Sequence, residues 1–446
     1  MPVYPIMNRL LALTLTASAI ALLAVRSYAS TVGDCHVGSY RLTDSTVVDI
    51  APSDEDRLRW RKFDGTTGSL RKSEDGSWVS SYGWTDRPDG KRVSFSECAA
   101  GEIHFGDLSG HRIDFDVTET TFHSGDVDLV GRLVLPKGRG RVPIVVLTHG
   151  AERDSARDFY ALQRLFPAEG VGAFVFDKRG TGQSQGQYTQ DFSLLADDIV
   201  AAMREARRIA GKRAGRTGYQ GGSQAGWILP IAATRLPVDF VIVSFGLAVT
   251  VIDEDQEELV LEMKLKGHND EEISKAQEVA AAAETVIASG FTEGFDRLDA
   301  VRAKYRDEPW YKDVHGNYTY MLLPYTSDQL REKGKEYVFG TPWHYDPVPT
   351  VRAVQAPQLW VLGEDDLEAP SAETSRRLKT LIKEGRPITL ALYPHCEHGM
   401  TEYEIGSNGE RVSTRFAAGY FAMMRDFATT GRLHGPYGSS VITAGR

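Results

Sequence analysis

Gly218-Tyr219-Gln220-Gly221-Gly222-Ser223-Gln224-Ala225-Gly226-Trp227 is the stretch on which the fold turns. Arg216-Thr217-Gly218-Tyr219 reads as the end of a short strand, and Trp227-Ile228-Leu229-Pro230-Ile231-Ala232-Ala233 opens an apolar helix. Between them Gly221 stands two before Ser223 and Ala225 two after. A serine on so sharp a strand-to-helix turn holds a strained backbone, and bulky neighbours would clash across it. The turn lifts the hydroxyl above a sheet. It also aims the helix N-terminus and the Gln224 backbone N–H at whatever the serine attacks. A glycine-rich phosphate turn is the alternative, but the stretch has neither a Walker lysine nor G-x-G-x-x-G.

On either side the chain alternates two patterns. Pro143–Leu147, Gly172–Phe176, Phe240–Ser244 and Gln358–Leu362 are short continuous apolar runs, the mark of strands buried on both faces. Arg157–Leu165, Leu194–Ile209, Gln224–Leu236 and Ala372–Lys383 carry helical periods. Phe115–Phe122 and Leu129–Leu135 read as a strand pair around Ser124-Gly125-Asp126. Alternation of this kind predicts an α/β fold, a mostly parallel sheet with helices on both faces, over residues 113–430. Residues 250–345 interrupt it with no buried-strand run. Asp253–Lys266 and Asp270–Ala288 are strong helical patterns, the second opened by Asn269 as N-cap, and a cluster of Trp and Tyr follows. An insertion of this size between sheet strands reads as a helical cap.

Upstream, residues 31–112 are rich in turns and period-two stretches: Val37–Arg41, Thr46–Ile50, Leu58–Arg61, Ser77–Ser80 and Lys91–Phe95. Asp64-Gly65, Glu74-Asp75-Gly76 and Asp89-Gly90 punctuate them. This predicts a small all-β domain in which Trp60, Trp78 and Trp84 serve as core, with a ligand-binding face as the alternative. Residues 431–446 read as a loose C-terminal tail.

The N-terminus predicts export. Arg9 precedes an apolar run from Leu10 to Val25, and Ser27-Tyr28-Ala29 places small residues where a signal peptidase cuts, so residues 1–29 read as a cleavable signal peptide and the protein as periplasmic or secreted. The run is shorter than the ~20 residues a membrane span needs. In an oxidising compartment Cys35 and Cys98, which bracket the small domain, are able to pair, leaving Cys396. The absence of C-x-x-C argues against a thiolate zinc site. The 446 residues carry a formal net charge of -10 with no basic block, which argues against nucleic acid as a partner.

Parallel sheets keep their chemistry in the loops at the carboxyl ends of their strands. Four such loops stand out: Thr148-His149-Gly150-Ala151, the Ser223 turn, Gly363-Glu364-Asp365-Asp366, and Pro394-His395-Cys396-Glu397-His398-Gly399. A serine hydroxyl needs a base within hydrogen-bond reach, and the base needs a carboxylate to fix its tautomer. The chain order Ser, Asp, His suits this arrangement.

With Leu147-Thr148-His149-Gly150, Asp177-Lys178-Arg179-Gly180-Thr181-Gly182-Gln183-Ser184, Gly221-Gly222-Ser223-Gln224-Ala225-Gly226, Tyr345-Asp346-Pro347-Val348-Pro349, Gly363-Glu364-Asp365-Asp366 and Glu397-His398-Gly399, the chain resembles the alpha/beta-hydrolase superfamily. It is most similar to exported bacterial carboxylesterases that join an N-terminal β-domain to a capped, serine-aminopeptidase-like hydrolase domain. Two residues depart from many relatives: Gly222 stands where they carry His, and Ala225 where they carry Gly. The resemblance implies Ser223 as nucleophile, Asp366 as the carboxylate (Asp365 the neighbouring alternative) and His398 as the base (His395 the alternative). It further implies the backbone N–H groups of Gln224 and Ala151 as oxyanion donors. His149 then shapes the oxyanion loop without transferring protons, and Asp177-Lys178-Arg179-Gly180 braces neighbouring loops.

The function these expectations point to is hydrolysis of a small carboxylic ester through an acyl-serine intermediate, with no cofactor or metal required. Substrate-binding residues are not assigned. Rivals are an exported serine peptidase or aminopeptidase, a thioesterase, and a ligand- or cell-wall-binding protein on an inactive hydrolase scaffold. An aminopeptidase would need an acidic group in the cap. Glu254, Glu257, Glu258 and Glu262 are available, although a Glu-rich helix usually presents a solvated face.

Overall fold

The computed structural model describes residues 33–53 and 56–445; the stretch read as a signal peptide, residues 1–29, lies outside the described residues. Nine strands form the central sheet in the order Val441–Ala444, Ile388–Tyr393, Gln358–Gly363, Phe240–Ser244, Ala214–Gly222, Val142–Thr148, Gly172–Phe176, Val127–Pro136, Phe115–Ser124. The pairings from Ile388–Tyr393 across to Gly172–Phe176 are parallel, and those at the two margins are antiparallel. Successive residues of a strand face opposite sides, so Ile144 and Val146 enter one buried cluster while Val145 and Leu147 enter the other. Helices Phe192–Ala210, Ala225–Arg235 and Ser371–Lys383 cover the first face; Leu162–Ala168 and Tyr420–Thr430 cover the second. This is the alpha/beta-hydrolase fold. From Val142–Thr148 the chain goes first to Gly172–Phe176 on one side and then to Ala214–Gly222 on the other. That reversal opens a crevice at the carboxyl ends of the strands.

The N-terminal segment is a closed eight-stranded barrel running from Gly38–Leu42 to Leu108–Arg112. Thr67–Lys72, Glu102–Phe105 and Leu108–Arg112 complete it, three strands whose mixed polar sequences hide the alternation. Trp60 and Trp78 are buried in its core with Tyr40, Ile50, Leu58 and Phe105. Trp84 points the other way and packs edge-on against Phe416 of the hydrolase domain at 5.4 Å. Buried Asp49 accepts from Arg164 at 2.6 and 3.0 Å, a second tie between the two parts. The Cys35–Cys98 pair is bonded, with Cα atoms 5.7 Å apart, inside the range a disulfide spans. Cys396 is free and buried.

One expectation changes. The C-terminal residues are not a loose tail throughout: Val441–Ala444 pairs antiparallel with Ile388–Tyr393 and closes that edge of the sheet. Four residues, three of them exposed, give too little pattern to announce a strand. Downstream of His398, Thr401–Ile405 and Arg411–Phe416 form a hairpin that holds the loop carrying the histidine. The insertion contains helices Val251–Leu265, Asp270–Ala288 and Phe295–Tyr305, packed around a core of their own. Among the described residues no helix is long and apolar enough to cross a membrane.

Candidate active site

Ser223 follows strand Ala214–Gly222 in the middle of the sheet and adopts φ +53°, in the left-handed region that non-glycine residues rarely enter. Its backbone N–H donates to Ser244 O at 3.1 Å, which fixes the turn to the neighbouring strand. A Cβ at position 221 would lie 2.5 Å from Ala225 Cβ and 2.7 Å from Thr148 O, so only glycine fits below the turn. A Cβ at 222 would lie 2.3 Å from the ring of Phe245. That ring packs edge-on against His398 at 4.8 Å and fills the room a larger residue before the serine would need. Ser223 is half-buried, and among the described residues its hydroxyl has no hydrogen-bond partner.

The two Asp–His alternatives resolve into two separate pairs. Asp366, 1% exposed, accepts from His398 Nδ1 at 2.9 Å and also from the Ala369 backbone N–H at 2.8 Å. Asp365 turns the other way, accepting from Tyr403 Oη at 2.8 Å and lying 3.4 Å from His395, whose side chain is 89% exposed. The inner pair stands at the carboxyl ends of the parallel strands beside the Ser223 turn. Burial disfavours the His398 cation. The carboxylates of Asp366, Glu368 and Glu254 outweigh it and push the imidazole up to about 10. Glu368 Oε1 lies 3.6 Å from Nε2, the nitrogen that a serine would use.

On the other side of the turn, a Cβ on Gly150 would sit 3.2 Å from Ser223 Cβ, so the loop after Val142–Thr148 passes against the serine. Among the described residues the backbone N–H groups of Gln224 and Ala151 have no acceptor. Lys178 is buried beneath this loop. It donates to Gly150 O and, at 3.1 Å, to Gln224 Oε1, tying together the two segments that carry those N–H groups. Burial pulls its ammonium down to about 8. Tyr188 Oη donates to Ala151 O at 2.7 Å. His149 is buried with neither ring nitrogen hydrogen-bonded; the Glu152 carboxylate lies 3.5 Å from its Nδ1, and burial lowers its pKa. Arg179 pairs with Asp198 at 2.7 and 2.6 Å, and Asp177 accepts from Ser155 Oγ at 2.8 Å. These two brace the loops.

The cap is fastened over the crevice. Gln190 N and Thr189 Oγ1 donate to Phe339 O at 2.7 and 2.9 Å, and Tyr188 meets Phe339 edge-on at 5.2 Å. The glutamates of Val251–Leu265 are not a solvated face: Glu254 is 5% and Glu258 6% exposed, and an oxygen of each has no hydrogen-bond partner. Leu259 and Met263 of this helix pack into the cap core, and the charge of Glu254 reaches His398. Burial and then the charge of Glu368 push the Glu254 carboxyl well above its usual range. The aromatic residues divide. Trp310, 2% exposed, belongs to the cap core, and Tyr325 faces outward. Tyr318 packs edge-on against Trp343 at 4.9 Å, among groups that surround the site. Burial, followed by the charges of Glu254, Asp255, Tyr188 and Glu368, raises its hydroxyl well above the ordinary phenol range.

Sequence reasoning missed Phe245, Tyr188 and Glu368. Lys178 sits inside the motif expected to brace neighbouring loops and joins two of them, but nothing in the motif says that it is the side chain that turns inward. The others carry no signal beyond their place in loops at the carboxyl edge.

No protein-family model matches the chain, and no curated protein sequence does. Among solved structures it is similar to an esterase of Pyrococcus furiosus (TM-score 0.40, 15% identity, covering 64% of this chain and 84% of that one). It is also similar to an acylaminoacyl peptidase of Pyrococcus horikoshii (TM-score 0.43, 14% identity, 86% and 56%). A third is a proline iminopeptidase of Mycobacterium smegmatis (TM-score 0.41, 16% identity, 70% and 97%). The chain thus spans little more than half the length of the acylaminoacyl peptidase.

Proposed function

We propose that the protein is a serine hydrolase of carboxylic esters. Ser223 attacks the carbonyl, and His398 accepts the serine proton and returns it to the leaving alcohol. Asp366 holds the imidazole tautomer through Nδ1. The backbone N–H groups of Gln224 and Ala151 receive the oxyanion, aided by the N-terminus of helix Ala225–Arg235. Water activated by His398 then releases the acid. The observation that carries this reading is the strained φ of +53° at Ser223, on the same sheet edge as the buried Asp366–His398 pair. Strain of this kind persists where the surrounding structure over-determines it, as at a nucleophile. The export expected from residues 1–29 would put this chemistry in the periplasm or outside the cell. The test is labelling with a fluorophosphonate, run beside turnover of p-nitrophenyl esters of graded acyl length. Ser223→Ala is expected to abolish labelling and to reduce turnover on the order of 10⁶-fold. Activity retained within about tenfold of the parent would overturn the assignment.

A second reading, cleavage of an amide next to a free amino group, is favoured by one observation. Glu254 is buried in the cap, has an unpaired oxygen, and lies close enough for its charge to act on His398. A cationic substrate group would satisfy it. Turnover of aminoacyl p-nitroanilides exceeding that of neutral esters, lost in Glu254→Gln, would select this reading.

A further inference from the structure

Among the described residues two groups of side chains bring three metal-ligating atoms within 4.8 Å of one another. One is Cys35, His36 and Cys98, but its sulfurs are bonded to each other and unavailable as thiolates. The other is Glu258, Glu262 and His315, in the cap. We propose that this second group is a binding site for a single divalent transition cation of the zinc class.

Glu258 and Glu262 stand four apart on helix Val251–Leu265, so their carboxylates project from one face, a turn apart. His315 comes from a loop that the same helix positions. Asp255, buried one turn before, accepts from the backbone N–H groups of Tyr318 and Thr319 and from Thr319 Oγ1 at 2.6 Å. Gly316, at φ +81°, lets that loop pass so close that a Cβ there would touch Asp255 Oδ1 at 2.9 Å. The imidazole plane is set by stacking on Tyr320, centroids 4.2 Å apart and 8° from parallel.

The three donors converge at ion-pair distance from the imidazole, with no hydrogen bond between them. His315 Nδ1 lies 3.6 Å from Glu258 Oε1 and 3.3 Å from Glu262 Oε2. Yet His315 Nδ1, Glu258 Oε2 and Glu262 Oε2 are all buried and lack a hydrogen-bond partner. Buried unpaired polar atoms are costly. Two carboxylates side by side repel, and the Glu258 side chain is more than nine-tenths buried. An ion bound at about 2.1 Å in tetrahedral geometry needs its ligands about 3.4 Å apart, close to the two separations from His315 Nδ1. One imidazole nitrogen with two carboxylate oxygens suits zinc better than magnesium, which prefers an all-oxygen octahedron. His315 is partly exposed, which leaves a way in. The site ties the cap helix to the 314–320 loop and does not depend on the hydrolytic reading.

The experiment uses untagged, oxidised full-length protein titrated with zinc ions by calorimetry, with zinc-edge X-ray absorption on the loaded sample. One equivalent is expected, with nitrogen and oxygen neighbours and no sulfur, and a rise in Tm that saturates at one equivalent. His315→Gln and Glu262→Gln should each weaken binding at least tenfold, while His36→Ala leaves it unchanged. No stoichiometric binding, sulfur in the coordination shell, preference for magnesium, or affinity unchanged in both cap variants would each overturn the proposal. The absorption spectrum decides on the parent protein alone if a variant fails to fold.

Discussion

Glu368 Oε1 lies 3.6 Å from Nε2 of His398, so the imidazole is flanked by carboxylates at both nitrogens, Asp366 at Nδ1 and Glu368 at Nε2. In the proposed mechanism Asp366 is the orienting partner. Glu368 stands at the other nitrogen, its own carboxyl pushed above the usual range by burial.

This geometry sets a pH dependence. Burial lowers the His398 pKa, but Asp366, Glu368 and Glu254 together push it up to about 10. A general base works only as the neutral imidazole, so kcat/KM of the free enzyme should rise with pH through an alkaline limb. Removing a carboxylate removes a force that favours the cation. Glu368→Gln should therefore move that limb to lower pH, with the triad intact. The check is a kcat/KM–pH profile of parent and variant on a neutral ester. A limb that stays in place would mean Glu368 turns away from His398 in solution.

The two Asp–His pairs make the register of the acid testable. Asp366→Asn should lower kcat by about 10⁴-fold, because an amide at that place favours the wrong imidazole tautomer. Asp365→Asn should leave turnover near the parent value, since Asp365 serves Tyr403 and the exposed His395. Steady-state kinetics of the two variants, side by side, settle which aspartate serves the base.

Much of this was legible because it rests on local rules. The Gly221-x-Ser223-x-Ala225 turn and the apolar strands Gly172–Phe176 and Phe240–Ser244 stand where their sequences put them. What escaped depends on distant partners. Leu70 is buried because barrel closure brings a facing strand to it, not because Thr67–Lys72 alternates. Val441–Ala444 becomes a strand only because Ile388–Tyr393 offers a free edge. Glu254 and Glu258 read as a solvated helix face until the cap is folded down on the crevice. No periodicity reports that a polar face will be covered by another part of the chain.

Gly222 offers a prediction drawn from a departure in the motif. Its place beneath the Phe245 ring leaves 2.3 Å for a Cβ. Gly222→Ala must displace the ring, and with it the edge-on contact to His398. Overpacking of this kind costs about 1–3 kcal/mol. The expected outcome is a lower Tm together with reduced kcat, both partly restored in Gly222→Ala/Phe245→Leu. Thermal unfolding and kinetics on the three proteins test it; a double variant no better than the single would place the strain elsewhere.

The last prediction separates the aromatic residues of the cap by what they touch. Trp310 lies within the cap core, against Tyr305 at 5.3 Å, so Trp310→Ala should cost about 3–5 kcal/mol of cap stability with little change in substrate preference among molecules that remain folded. Tyr325 is exposed, and its removal should do neither. Tyr318 differs from both. It bridges the cap core and the main core and meets Trp343 edge-on, and the charges of Glu254 and Glu368, which also act on His398, reach its hydroxyl. Removing its ring should enlarge the space under the cap and favour longer acyl chains. One methylene in an apolar pocket is worth about 1–3 kcal/mol, so the expected result is a graded change in kcat/KM ratios between short and medium acyl esters. The measurement is that ratio in Tyr318→Ala, Trp310→Ala and Tyr325→Ala, with labelling by a small fluorophosphonate to show that Ser223 stays reactive. A chain-length profile unchanged in Tyr318→Ala would move the acyl pocket away from the cap, to the loops around Ala151 and Gln183.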